Sequence, residues 1–201
     1  MSRTRPAFGP SALATPANAL TALRLAAGPV FAVAVAEIGP VSWLLWAIWA
    51  ALAFSDSLDG QLARRHGTTR SGAFLDPLAD KFLVLGALAA LAHAGAVGWL
   101  PVLLVAGREV AMSGYRTLAG RRGVSIPARP LAKLKTLVQD LAVGFALFPP
   151  TGGSHPEVAR TLLWAAVALT WFTGAQYVLD SRRLQRGSAG LAARAPGRTA
   201  V

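Results

Sequence analysis

The chain has 201 residues, of which 54% are hydrophobic and only 14% are charged, and it contains no cysteine. A soluble domain carries about 25% charged residues, so this composition, with a mean hydropathy of +0.47, argues against a soluble or disordered protein. Without cysteine, a disulfide scaffold, a cysteine nucleophile and a cysteine-ligated zinc site are excluded. The formal net charge is +11. Because the basic residues lie between long apolar runs, we expect a membrane partner and no nucleic acid.

Six apolar stretches approach the length of about 20 residues that is needed to cross the hydrocarbon of a bilayer. The predicted spans are roughly residues 18–35, 41–59, 73–95, 99–118, 133–148 and 159–179. We therefore expect an all-α, polytopic membrane protein with a six-helix domain over residues 18–184. Residues 1–17 form a predicted cytoplasmic tail, and residues 185–201 form a basic tail that we expect to be disordered.

Lysine and arginine alternate between the links that join these spans. The tail before span one, the links after spans two and four and the tail after span six are basic, whereas the other three links have no lysine or arginine. The positive-inside rule assigns the basic segments to the cytoplasm. Both termini are therefore predicted to be cytoplasmic, in agreement with an even number of spans.

Four acidic side chains cluster where an apolar environment makes them costly. They lie within 25 residues at the predicted cytoplasmic ends of spans two and three: Asp56, Asp59, Asp76 and Asp80. Burying even one ionised carboxylate costs several kcal/mol, so either these groups are protonated or a cation lies among them. Hard divalent ions prefer oxygen ligands, and four aspartates can hold one or two such ions. The alternative is that the aspartates cap helix ends and pair with Arg64 or Lys81.

Helical spacing groups these aspartates with small residues on two faces. Asp56 and Asp59 share a face with Gly60 and Ala63, because their spacing is i, i+3, i+4 and i+7. Asp76 and Asp80 share another face with Gly72, at i, i+4 and i+8. A short link joins the two spans, so we expect antiparallel neighbours whose acidic faces converge around a ligand.

The spacing from Asp56 to Asp80 (Asp-x2-Asp-Gly-x2-Ala-Arg-x7-Gly-x3-Asp-x3-Asp) resembles the signature of the CDP-alcohol phosphatidyltransferases. The resemblance covers most of the chain, since that family has a six-span core with this motif across spans two and three. It implies that the four aspartates ligate two divalent cations, Mg2+ or Mn2+, and that Asp80 is the general base for the acceptor hydroxyl. The CDP contacts that it implies are Asp56, Asp59, Gly60, Ala63, Arg64 and Gly72.

Further polar residues lie at the same predicted face, on spans one, four and five: Asn18, Thr21, Arg24, Arg108, Glu109, Ser113, Arg116, Lys133, Lys135, Thr136, Gln139 and Asp140. Their arrangement is similar to that of bacterial phosphatidylglycerophosphate synthases. Two departures are Ala17, inserted between Pro16 and Asn18, and Ala132, where glycine usually precedes the first lysine.

That resemblance implies transfer of a phosphatidyl group from CDP-diacylglycerol to sn-glycerol 3-phosphate by a homodimer. The implied location is the bacterial cytoplasmic membrane, among its lipids, with the active site facing the cytoplasm. The residues expected to bind the acceptor phosphate are Arg116, Lys133, Lys135 and Arg108.

Other interpretations remain open. A cardiolipin synthase of the same family, with phosphatidylglycerol as acceptor, or a phosphatidylinositol-phosphate synthase would share the aspartates. A divalent-cation transporter is a different class, but it needs polar groups through the whole bilayer. Here the intramembrane acids lie near one face, except Glu37 at a span end. Arg108–Glu109 could be a structural pair, and Lys133 and Lys135 could extend to the headgroups.

Overall fold

The computed structural model describes residues 16–66, 70–121 and 130–194, with side chains for residues 19, 21–55, 78–120, 131 and 133–182. Within these ranges the chain forms seven α-helices and no strand, which confirms the predicted all-α class. The helices are α1 (Pro16–Ile38), α2 (Trp43–His66), α3 (Arg70–His93), α4 (Trp99–Arg121), α5 (Pro130–Leu147), α6 (Pro149–Gly152) and α7 (Pro156–Arg194).

Each of the six predicted spans coincides with one long helix, but the helices extend further than the apolar stretches. Helix α2 continues to His66 and α4 to Arg121, since alanine, glutamine, leucine and arginine favour helix beyond the apolar run. The link predicted after span five contains the short helix α6, which has proline at its first positions. Helix α7 runs to Arg194, into the segment expected to be a disordered tail.

Two helices of the described residues are long and apolar enough to cross a membrane by length and composition. They are Thr21–Ile38 in α1 and Pro156–Arg182 in α7, and α2 contains the shorter apolar helix Trp43–Ser55. The structure therefore carries a helical fold with two candidate membrane spans.

Helices α1 and α3 approach each other closely through small residues. A Cβ on Gly28 would lie 3.6 Å from the Cα of Leu83. Ala79 and Ala87 of α3 are fully buried. Small residues at a helix contact let the backbones approach and increase the van der Waals contact area. This contact fixes the position of α3, which carries Asp80.

A second group of contacts joins α5 to α2 and α7. Trp49 of α2 donates a hydrogen bond from Nε1 to the carbonyl oxygen of Asp140 at 3.1 Å. The same indole lies 3.7 Å from the position that a Cβ would take on Gly144. Leu147 of α5 and Leu163 of α7 are fully buried in the core. The packing brings the polar residues of α3, α4, α5 and α7 together in one region.

Candidate active site

The aspartate motif lies on two long helices. Helix α2 is continuous through Asp56 and Asp59, and α3 through Asp76 and Asp80, so the helical spacing assumed for the motif is confirmed. Asp80 is half-buried. The side chains of the other motif residues lie outside the described part, and their convergence stays a prediction: Asp56, Asp59, Gly60, Ala63, Arg64, Gly72 and Asp76.

A cluster of charged side chains surrounds Glu109 of α4. Arg108 Nη1 donates to Glu109 Oε1 at 2.8 Å, and Lys135 Nζ of α5 donates to the same oxygen. Lys81 Nζ of α3 lies 3.5 Å from Oε2 of the glutamate. We name these four residues the Glu109 cluster. With three cations and one carboxylate, its formal charge is +2.

The Glu109 cluster is largely shielded from solvent. The Arg108, Glu109 and Lys135 side chains are 4%, 7% and 11% exposed, whereas Lys81 is 32% exposed. Charges at such depth interact more strongly than surface charges, because little water screens them. Lys81 is therefore the member of the cluster that remains most open to a ligand.

Two threonines of α7 add polar contacts to this cluster. Thr170 Oγ1 donates a hydrogen bond to Glu109 Oε1 at 3.4 Å. Thr173 Oγ1 accepts a hydrogen bond from Arg108 Nη2 at 3.1 Å. Thr173 Oγ1 also donates to main-chain carbonyl groups of its own helix. Sequence reasoning does not single out these threonines, since a threonine on an apolar helix resembles an ordinary core residue.

Lys81 is a further member that sequence reasoning does not assign to this region. From the sequence alone, Lys81 is only a possible partner of an aspartate. Its Nζ donates to Ser113 Oγ at 2.5 Å, in addition to its contact with Glu109. These contacts turn Lys81 towards α4. The sequence feature that could have identified it is a lysine directly after Asp80, at the start of the apolar part of span three.

The four residues predicted to bind an acceptor phosphate fall into two pairs. Arg108 and Lys135 both lie in the Glu109 cluster. Arg116 is exposed about two turns further along α4, and its guanidinium carbon lies 5.0 Å from the centroid of the Tyr177 ring. Lys133 is exposed on α5. The structure thus brings Arg108 and Lys135 together and leaves Arg116 and Lys133 at the surface.

Buried donors next to the cluster lack partners within the described part of the chain. Gln139, one turn after Lys135 on α5, is 4% exposed. Its Nε2 and the Nε of Arg108 have no hydrogen-bond partner among the described residues. Buried donors are costly when unsatisfied. Both are therefore available to water or to a polar ligand.

The metal site implied by the motif agrees with the donor chemistry. Carboxylate oxygens are the ligands that Mg2+ and Mn2+ prefer. Among the side chains that the structure describes, no three histidine, aspartate or glutamate residues form a metal-binding group. Three of the four predicted ligands, Asp56, Asp59 and Asp76, lie outside that set, so the metal site stays a prediction.

Comparison with known proteins identifies the class of protein to which this helical fold belongs. The family model described as CDP-alcohol phosphatidyltransferase matches residues 14–172. The chain therefore belongs to the CDP-alcohol phosphatidyltransferase family and is an enzyme of that type, as the motif from Asp56 to Asp80 predicts.

Individual relatives are similar to this chain over most of its length. The chain is 40% identical over 180 residues to the probable phosphatidylglycerophosphate synthase of Mycobacterium tuberculosis strain H37Rv, covering 87% of this chain and 85% of that protein. It is 35% identical over 165 residues to the CDP-diacylglycerol–glycerol-3-phosphate 3-phosphatidyltransferase of Rickettsia bellii, covering 80% and 91%. A Bacillus subtilis protein of the same name is 35% identical over 178 residues, with 80% and 91% covered.

Proposed function

We propose that this chain transfers the phosphatidyl group of CDP-diacylglycerol to sn-glycerol 3-phosphate, giving phosphatidylglycerophosphate and CMP. The names of the relatives in Rickettsia bellii and Bacillus subtilis contain both substrates. The likeness to the Mycobacterium tuberculosis relative extends over most of the chain. The activity is a step of phospholipid biosynthesis.

The surplus positive charge of the Glu109 cluster is the observation that supports a phosphate monoester as the acceptor. Lys81, Arg108 and Lys135 share one carboxylate, and largely buried charge of one sign is costly unless it is paired. A phosphate monoester carries up to two negative charges and accepts several charge-assisted hydrogen bonds. The phosphodiester of phosphatidylglycerol carries one charge and complements the cluster less well. The cluster therefore favours an acceptor such as glycerol 3-phosphate over the lipid acceptor of a cardiolipin synthase.

The residues have separable roles in the proposed reaction. Asp80 accepts the proton of the acceptor hydroxyl, whose oxygen bonds to the lipid-side phosphorus as the bond from that phosphorus to the CMP oxygen breaks. Lys135 and Arg108, with Arg116 and Lys133 at the rim, bind the acceptor phosphate. The proposed contacts to CDP are Asp56, Asp59, Gly60, Ala63, Arg64 and Gly72.

Two divalent cations, Mg2+ or Mn2+, complete the proposed site. Asp56, Asp59, Asp76 and Asp80 would hold them through carboxylate oxygens. When bound, the ions neutralise the pyrophosphate charge and make CMP a better leaving group. Support comes from the family, from the acidic donor set and from the continuous helices that carry these residues.

We further propose six membrane spans, cytoplasmic termini and an active site on the cytoplasmic side of a bacterial membrane. Large apolar side chains are exposed on every long helix, for example Val30 of α1, Phe54 of α2 and Phe82 of α3, and equally Val110 of α4 and Leu137 of α5. Exposed apolar patches of this extent are rare on soluble monomers. The alternation of basic links supports the orientation. A homodimer is proposed from the family resemblance.

A CMP-release assay on detergent-purified protein tests the proposed reaction. The protein would receive CDP-diacylglycerol and Mg2+, with glycerol 3-phosphate, phosphatidylglycerol or inositol phosphate offered separately, each with an EDTA control. We expect EDTA-sensitive release with glycerol 3-phosphate alone. Release only with one of the other acceptors would keep the chemistry and overturn the acceptor. Folded protein that is inactive with all three would refute the proposed acceptor and both of its alternatives.

A further inference from the structure

One carboxylate, that of Glu109, joins four helices at the proposed acceptor pocket. Its Oε1 accepts hydrogen bonds from Arg108 on its own helix, from Lys135 of α5 and from Thr170 of α7. Its Oε2 faces Lys81 of α3. Both oxygens are therefore engaged, and the side chain is 7% exposed. A carboxylate in this situation has little capacity left to contact a substrate directly.

The charges around Glu109 repel one another in its absence. Lys81, Arg108 and Lys135 all lie within 4 Å of its oxygens, so the three cations are close neighbours in a poorly solvated region. Like charges at such separations interact unfavourably by amounts that rise as water is excluded. Long lysine side chains also have considerable rotamer freedom, which an ion pair restricts. Glu109 is thus what keeps the lysines close together and directed at one point.

We propose that Glu109 is a positioning residue for the acceptor, which acts by holding Lys135 and Lys81 where together they bind the acceptor phosphate. This inference rests on the proposed function, since it takes a phosphate-bearing acceptor as the ligand. Lys81, the more exposed lysine, adds a cation to those identified from the sequence. Its Nζ also donates a hydrogen bond to the Ser113 hydroxyl.

The proposal predicts which kinetic parameter changes. A pocket whose cations have lost their alignment binds the acceptor more weakly, whereas the lipid substrate is contacted by other residues. Removing Glu109 therefore raises the KM for glycerol 3-phosphate and leaves the KM for CDP-diacylglycerol unchanged. A residue needed only for folding would lower the amount of active enzyme and change neither KM.

Glu109→Gln removes the charge and keeps the shape of the side chain, and Glu157→Gln is the matched control. Glu157 is an exposed glutamate at the start of α7 whose described ion-pair partner is His155. We expect Glu109→Gln to raise the acceptor KM by about tenfold or more, the range that one charge-assisted hydrogen bond is worth. Glu157→Gln is expected to match the unmodified enzyme. An unchanged acceptor KM in Glu109→Gln, or an equal rise for both substrates, would overturn the proposal.

Glu109→Asp keeps the charge one methylene shorter, so it tests the same point if Glu109→Gln does not fold. A selective but smaller rise in acceptor KM is expected, and no selective rise would refute the role. The double variant Glu109→Gln/Lys135→Gln completes a double-mutant cycle. Because Glu109 acts through Lys135 as well as Lys81, the double variant is expected to raise the acceptor KM by less than the product of the two single effects, whereas fully multiplied effects would contradict the proposal.

The unmodified enzyme separates this proposal from the proposed function. No turnover with glycerol 3-phosphate before any substitution is made would refute the proposed acceptor. An active enzyme whose acceptor KM does not respond to Glu109 would refute the positioning role alone.

Discussion

Lys81 Nζ on α3 donates a hydrogen bond to Ser113 Oγ on α4 at 2.5 Å. Ser113 Oγ itself donates to the carbonyl oxygen of Glu109 at 2.7 Å, so a lone pair of the hydroxyl is left for the lysine. This relay joins the helix of Asp80, the proposed base, to the helix of Glu109. Helix α3 thus carries both the proposed base, Asp80, and a proposed contact to the acceptor phosphate, Lys81. We expect substitutions of these two residues to affect different kinetic parameters.

The proposed metal ligands are tested by single substitutions to asparagine. Asp56→Asn, Asp59→Asn and Asp76→Asn each keep the shape of the side chain but remove a negative charge that binds the divalent ions. We expect each to abolish CMP release at ordinary Mg2+ concentrations. The measurement is initial rate against Mg2+ concentration, and a near-normal rate in any one variant would contradict the two-metal site.

Asp80→Asn tests the role of the general base. General base catalysis contributes about 10²–10⁴-fold to a rate, so we expect kcat to fall by roughly this factor. Because Asp80 is also a proposed metal ligand, the assay would be repeated at raised Mg2+ and Mn2+ to restore occupancy. A loss smaller than about tenfold would rule out this role, since that is below the contribution of a typical base.

Two lysines on one turn of α5 offer a comparison of buried and exposed cations. Lys135 lies in the Glu109 cluster, whereas Lys133 is exposed. We expect Lys135→Ala to raise the KM for glycerol 3-phosphate by about tenfold or more, as for loss of one charge-assisted hydrogen bond. Lys133→Ala is expected to have a smaller effect, because water screens the exposed charge. A larger effect at Lys133, or an effect of Lys135→Ala confined to the lipid, would contradict this assignment.

Gly174 of α7 leaves room for Arg108. A Cβ at this position would lie 3.2 Å from Arg108 Nε, and Glu109 and Thr173 restrain that side chain. We expect Gly174→Ala to lower the free energy of unfolding by about 1–3 kcal/mol, as overpacking does, with a lower Tm in detergent. Gly107→Ala is the control, because no atom of the described residues lies within 4 Å of a Cβ added at that position. Equal Tm values for both variants would refute the packing constraint.

The absence of cysteine from the chain allows the proposed orientation to be tested by single-cysteine labelling. Thr68→Cys lies in the link between α2 and α3, and Ser154→Cys lies between α6 and α7. We expect a membrane-impermeant maleimide to label Ser154→Cys in intact cells and Thr68→Cys only after permeabilisation. Labelling in the opposite pattern would show that the orientation is the reverse of the proposed one. Labelling of both variants in intact cells would contradict the predicted alternation of cytoplasmic and external links.

The sequence predicts the helical class and the order of the long helices well. Apolar stretches separated by turn residues correspond to helices because periodicity and length are local properties. The helix ends are less well predicted. Helix α7 runs to Arg194, since alanine, leucine and arginine propagate a helix past the apolar stretch.

The sequence by itself determined the family and the residues that carry its motif, because Asp56, Asp59, Asp76 and Asp80 are recognisable from spacing along single helices. It also identified Arg108 and Lys135 as candidates for the acceptor. Only the tertiary structure decided which cations meet, since the contacts of Glu109 with Lys81, Lys135 and Thr170 connect helices distant in sequence. Such contacts depend on how α3, α4, α5 and α7 pack, and the local periodicity of one helix does not specify its partners.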